Sequence, residues 1–180
     1  MTRWMVCFAA LTACVQTGES LPRSTLDRSV DLQGIWVCDS MASPDVYRVD
    51  AGPKRWKVIN EDDESVGLEV HKLRRGHVFQ IEAEESGEPA WTVLAAEIQT
   101  DRVTLRSIDL DDMEEWVVGQ EALEARPDGS LRVSLKGQAL VRALGEPNWF
   151  GRPLESSTVC IRHKSVPGQN GRSPKAIPRD

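Results

Sequence analysis

The chain has 180 residues, of which 40% are hydrophobic and 28% charged, with a net charge of −6 at neutral pH. That length suits one domain, and the apolar content is a little low but sufficient for one core. Trp36, Trp56, Trp91, Trp116 and Trp149, each with a large apolar surface to bury, exclude a disordered chain. The basic residues are scattered rather than gathered into a stripe, so nucleic acid is excluded as a natural partner.

The chain opens on Arg3 followed by an uncharged apolar run from Trp4 to Ala10. A positive start and a short apolar stretch have the form of an export signal. The run is far shorter than the ~20 apolar residues needed to cross a hydrocarbon core of ~30 Å, and no later stretch comes closer. Leu11-Thr12-Ala13-Cys14 follows. It resembles the lipobox of bacterial lipoproteins, in which the signal peptidase cuts before the Cys and that Cys is lipidated. The resemblance covers the first 14 residues and implies a signal peptide over 1–13 and a lipid anchor on Cys14. With more than one acyl chain, at ~0.8 kcal/mol per buried methylene, the anchor would be stable. The alternative is an ordinary cleaved signal in which Cys14 is incidental. By similarity to enterobacterial lipoproteins, Val15 after the Cys implies the outer membrane, facing the periplasm.

Of the four Cys, Cys7 lies in the signal and Cys14 would carry lipid, which leaves Cys38 and Cys160. An even pair in an oxidising compartment is expected to form one disulfide; two buried free thiols are the alternative. Neither Cys has a second Cys or His at zinc-ligand spacing. Removing residues 1–13 deletes one Arg and no acid, so the exported chain is one unit more negative.

Residues 14–30 are polar and rich in Ser, Thr and Arg, and are expected to act as a flexible tether. From Asp31 short alternating runs begin. Trp56 and Val58, Leu68 and Val70, Phe79-Ile81-Ala83, Val103-Leu105 and Leu131-Val133-Leu135 each alternate with polar neighbours. A period of two marks strands with one face buried. Arg75-Gly76, Ser86-Gly87-Glu88-Pro89 and Pro127-Asp128-Gly129 separate them, the last between Ala122–Arg126 and Leu131–Lys136 as a hairpin turn. Gln138–Leu144 carries apolar residues on both faces and fits a strand or a short helix. Thr158–His163 is the last strand. Eight to ten strands predict an all-β domain over 31–165, either a small antiparallel barrel or a β-sandwich. Residues 166–180 read as a disordered tail.

Gly34-Ile35-Trp36 opens the first strand of this series. It resembles the Gly-x-Trp motif of lipocalins and their calycin relatives, where an Arg of the last barrel strand packs over the Trp. The resemblance gives that role to Arg162. If Cys38 and Cys160 face each other on antiparallel first and last strands, Trp36 must lie opposite Arg162, and all four side chains share a face. The contact would be a cation–π stack of ~0.5–2 kcal/mol. Two features depart from the family pattern. Thr100-Asp101-Arg102 matches its Thr-Asp-Tyr turn in the first two residues only, and no long helix is expected before the last strand.

Catalytic signatures are missing. His71, His77 and His163 show no paired-ligand spacing, and His77 is expected to be a satisfied residue at a strand end. No Ser sits in a Gly-x-Ser-x-Gly elbow, so no enzyme activity, metal site or cofactor is assigned. The acids Asp109, Asp111, Asp112, Glu114 and Glu115 lack the spacing of a calcium loop and are expected to form a solvated loop. Trp149 and Phe150 lie in a loop framed by Gly and Pro, either plugging a barrel end or offering an anchor to a partner. Two functions are consistent with these features. One is a lipid-anchored barrel holding a small apolar ligand, lined by residues such as Trp56, Phe79, Ile81, Val103 and Leu105. The other is an envelope interaction module, an inhibitor of a cell-wall-degrading enzyme or an assembly factor.

Overall fold

A computed structural model describes residues 15–39, 44–85, 88–108, 123–125, 131–146 and 157–163. The export segment, Cys14, the acidic loop, the Pro127-Asp128-Gly129 turn, the Trp149-Phe150 loop and the tail lie outside these residues.

Eight antiparallel strands close into a barrel: β2 (Gly34–Asp39), β3 (Asp45–Ala51), β4 (Trp56–Ile59), β5 (Ser65–Leu73), β6 (Gly76–Glu85), β7 (Glu88–Gln99), β8 (Arg102–Ser107) and β11 (Ser157–His163). Each pairs with the next in chain order, and β11 returns to β2 to complete the ring. The architecture is therefore the barrel and not the sandwich. Alternate residues of every strand point inward, so Trp36, Cys38, Val49, Leu68, Val70, Phe79, Leu94, Ala96, Val103, Leu105 and Cys160 form a buried interior.

A second core lies outside the ring, on the outer face of β5, β6 and β7. Val78, Val93 and Ala95 point away from the interior yet are fully buried. They are covered by β1 (Val15–Thr17), β10 (Leu131–Val133) and helix α1 (Gly137–Gly145). β7 is long enough to serve both layers. Residues 94–99 pair with β8, whereas Trp91, Thr92 and Val93 pair with β1. β1 in turn runs parallel to β10, which pairs antiparallel with β9 (Leu123–Ala125).

The ambiguous Gln138–Leu144 segment is helical, within a short helix of 9 residues. Leu140, Ala143 and Leu144 share one face at helical spacing and are buried, whereas Gln138, Ala139 and Arg142 are exposed. At its end the Arg74 guanidinium donates two 2.9 Å bonds to the Glu146 carboxylate, tying the helix to the β5–β6 turn.

The tether expected over 14–30 is instead packed against the barrel from Val15 onward. Val15 and Thr17 are fully buried between β7 and β10, and Leu21 is buried beyond them. A 3-10 turn at Arg23–Thr25 follows, and the Asp27 N–H donates to the Val70 carbonyl at 2.9 Å. The Ser and Thr content that suggests a linker is used here to satisfy polar groups on the barrel wall.

Truncating Leu140→Ala removes a fully buried side chain from the outer core and is expected to cost about 2–5 kcal/mol. Urea unfolding followed by circular dichroism checks this, with Gln138→Ala, at an exposed helical position, expected to stay within about 0.5 kcal/mol of the parent.

Candidate functional site: the barrel interior

One end of the barrel is closed by its own first and last strands. Cys160 lies opposite Cys38 and Arg162 opposite Trp36, in one antiparallel register. The two cysteines are bonded, and the Arg162 guanidinium lies 4.9 Å from the centre of the Trp36 ring. The Trp36 indole N–H donates to the Leu32 carbonyl at 2.8 Å, which draws the strap before β2 across the barrel floor. The Arg162 guanidinium is held beneath it by the Asp31 backbone carbonyl and, at 3.3 Å, by the Asp31 carboxylate. This guanidinium and the Gln33 N–H hold the Asp31 carboxyl below its ordinary range, the Gln33 bond being the larger cause. Gly34 has φ of +143°, a conformation that favours glycine, and Arg162 Cγ lies 3.6 Å from where a Cβ would stand. The Gly, the Trp and the Arg thus form one floor assembly.

Above the floor is a cavity of about 90 Å³. Trp36, Leu32 and Val103 line its base, and Val49, Val58, Val66, Leu68, Phe79, Ile81 and Leu105 its walls. Tyr47, which lies opposite Trp36, the disulfide, Asp45 opposite Cys38, and Thr158 opposite Leu105 complete the lining. The expected lining residues Phe79, Ile81, Val103 and Leu105 all border the cavity. Trp56 does not; it packs against the same interior cluster from the start of β4. The volume is below the roughly 300–1,000 Å³ of sites for drug-sized ligands, and suits one ring or a short alkyl chain. Among the described residues no cluster of three or more His, Cys, Asp or Glu side chains could hold a metal ion.

A polar network outside the ring was not legible in the sequence. Gln80, fully buried on the outer face of β6, accepts from the Leu21 N–H at 2.7 Å and donates to Thr17 Oγ1 at 3.2 Å. Ser20 Oγ donates to the Glu69 carboxylate at 2.6 Å. His71 is fully buried, with Nδ1 2.9 Å from Thr25 Oγ1 and Nε2 3.4 Å from the Glu69 carboxylate. Burial lowers the His71 pKa, and the neighbouring Glu69 only partly offsets that. His77 sits at the start of β6 with Nε2 2.9 Å from the Asp27 carboxylate. Hydrogen bonds from Ser29 first, then His77, hold the Asp27 carboxyl at about 2. One sequence signal did point to this region. The stretch Ala90–Ala96 is apolar at most positions of both faces, as a strand covered on two sides must be.

No family model matches the sequence, and no curated protein or solved structure matches it either.

Reduction of the disulfide removes a cross-link spanning 122 residues, worth up to about 4–5 kcal/mol in the chain-entropy model. The urea midpoint of the native protein is expected to fall by a corresponding amount when dithiothreitol is present, and that of Cys38→Ala/Cys160→Ala to be insensitive to it.

Acid should loosen the N-terminal segment in two phases. The unfolded His71 takes a proton near pH 6.5 more readily than the buried one, so its contribution is present above pH 6.5 and is lost as pH falls below it. The Asp27 contribution is present above about pH 4 and is lost as pH falls toward 2. Urea midpoints from pH 7.5 to 5 are expected to decline in the parent and to decline less in His71→Gln.

Proposed function

We propose that this protein is a lipid-anchored carrier of the bacterial cell envelope that holds a small apolar ligand inside the barrel. The observation that carries this reading is the apolar cavity above the Trp36–Arg162 floor, bordered by Phe79, Ile81, Val103 and Leu105. A barrel of about eight strands can be filled entirely by its own side chains. Here Tyr47, Val58 and Ile81 remain only partly buried although they belong to the interior. Burying that residual apolar surface against a ligand stabilises a complex by ~25 cal/mol per Å².

Export is supported by the lipobox-like Leu11-Thr12-Ala13-Cys14 and by the Cys38–Cys160 bond, which persists in an oxidising compartment. On this reading Cys14 carries the anchor and the protein faces the periplasm from the outer membrane. The described lining of the cavity is mainly apolar, and the role proposed for it is binding.

Native mass spectrometry of protein exported to a periplasm and purified without denaturant tests the reading. A discrete adduct, no larger than one ring or a short chain and lost on denaturation, is the expected result. Phe79→Arg, which puts a charge into the cavity, is expected to abolish it. A bare mass under all gentle conditions would shift the assignment to a protein partner.

A further inference from the structure

Val15 is fully buried between β7 and β10, and the packed segment runs on through Thr17 and Leu21 to the Asp27 N–H on the Val70 carbonyl. Adjacent α-carbons are ~3.8 Å apart, so acyl chains on Cys14 start one residue from the barrel wall. No slack separates the anchor from the body. A flexible linker over 15–30 would instead let the barrel drift roughly 20 Å from the bilayer.

Val15 belongs to the outer core together with Leu140 and Leu144 of α1 and Leu73 of β5. The anchor therefore leaves on the side of the barrel that α1 covers. Arg74 and Arg75 of the β5–β6 turn and Arg142 of α1 are exposed on that side. The turn and the helix end meet, since a Cβ at Gly145 would stand 3.5 Å from Leu73 and 3.6 Å from the Arg74 backbone nitrogen. Of the described acids there, Glu146 engages Arg74 and Glu19 engages Lys136. Cations thus outnumber acids on this side of a chain whose net charge is −6.

We propose that the anchored protein lies with the face formed by α1 and the β5–β6 turn against an anionic phospholipid surface. This rests on the lipidated Cys14 proposed above and adds which side of the barrel meets the membrane. A few arginines attract an anionic leaflet weakly, and only within about a Debye length, ~8 Å at physiological salt. The short anchor keeps them inside that distance, where their guanidinium groups can fork onto lipid phosphates. The remaining, negative surface is repelled and turns outward.

The test uses the lipidated protein, extracted from a bacterial envelope and placed in vesicles of phosphatidylcholine and phosphatidylglycerol. A fluorophore at Gln138→Cys, exposed on α1, or at Arg48→Cys, exposed on β3 away from the helix, is quenched by nitroxides on the lipid headgroups. Quenching at Gln138 is expected to be at least about threefold that at Arg48. A linker of about twelve Gly and Ser residues between Cys14 and Val15, spanning roughly 20 Å, is expected to bring the two positions close to equality. Arg75→Glu/Arg142→Glu, which leaves the Arg74–Glu146 pair in place, is expected to lower quenching at Gln138 at least about twofold with circular dichroism unchanged, as ~0.5 M salt should in the parent. Equal quenching at both positions, or quenching at Gln138 indifferent to the linker or to the two charge reversals, would overturn the assigned face and leave the anchor standing. Protein recovered without acyl mass on Cys14, or washed from the vesicles by salt, would overturn the anchor and the orientation with it.

Discussion

Everything in this structure depends on the pairing of β11 with β2. Seven of the barrel strands can join their neighbours through local hairpins or short connections, but the ring exists only when the last strand returns to the first. That contact spans more than a hundred residues, so its loop-closure entropy must be offset by interactions made at the seam. The seam has three of them in one register: backbone ladder bonds, the Cys38–Cys160 bond, and the stack of Arg162 on Trp36. The same residues also make the floor. Trp36 holds Leu32 through its indole N–H, and Asp31 holds the guanidinium, so closing the ring and closing its end are one event.

The upstream segment solves a different problem. The outer faces of β5 and β6 carry Glu69, His71 and Gln80 beside Val78, a mixture that cannot be left half-covered. Buried polar groups without partners are costly. Thr17, Ser20, Leu21 and Thr25 supply those partners through side-chain oxygens and a backbone N–H. The segment is therefore specified by polar satisfaction, with Val15 and Leu21 as its apolar contacts.

That distinction explains how much could be read in advance. Period-two alternation located β4, β5, β6 and β8, because each has one face in the barrel, and β10, whose Val133 faces the outer core. The opposition of Trp36 and Arg162 followed from parity once the two Cys were set face to face. The function of residues 15–30 was hidden because a polar segment that satisfies buried groups has the same composition as a solvated linker. His71 was equally silent: its partners, Glu69 two residues away and Thr25 on a distant segment, meet only when the segment docks. Helix α1 was obscured because its nine residues are short enough for either period to fit. The cavity's lining was legible from inward parity, except that Trp56 sits at the start of its strand, beyond the open space.

The strands β6 and β7 have a further consequence. They are a party wall: Phe79 and Leu94 face the interior, while Val78, Val93 and Ala95 face the outer core, on the same stretches of backbone. Neither compartment has a wall of its own there. Opening the barrel at β6–β7 would wet the helix side at once, and peeling away the helix would leave the barrel with an apolar exterior. The two cores thus belong to a single cooperative unit of unfolding rather than to two foldons, and whatever rigidifies one steadies the other.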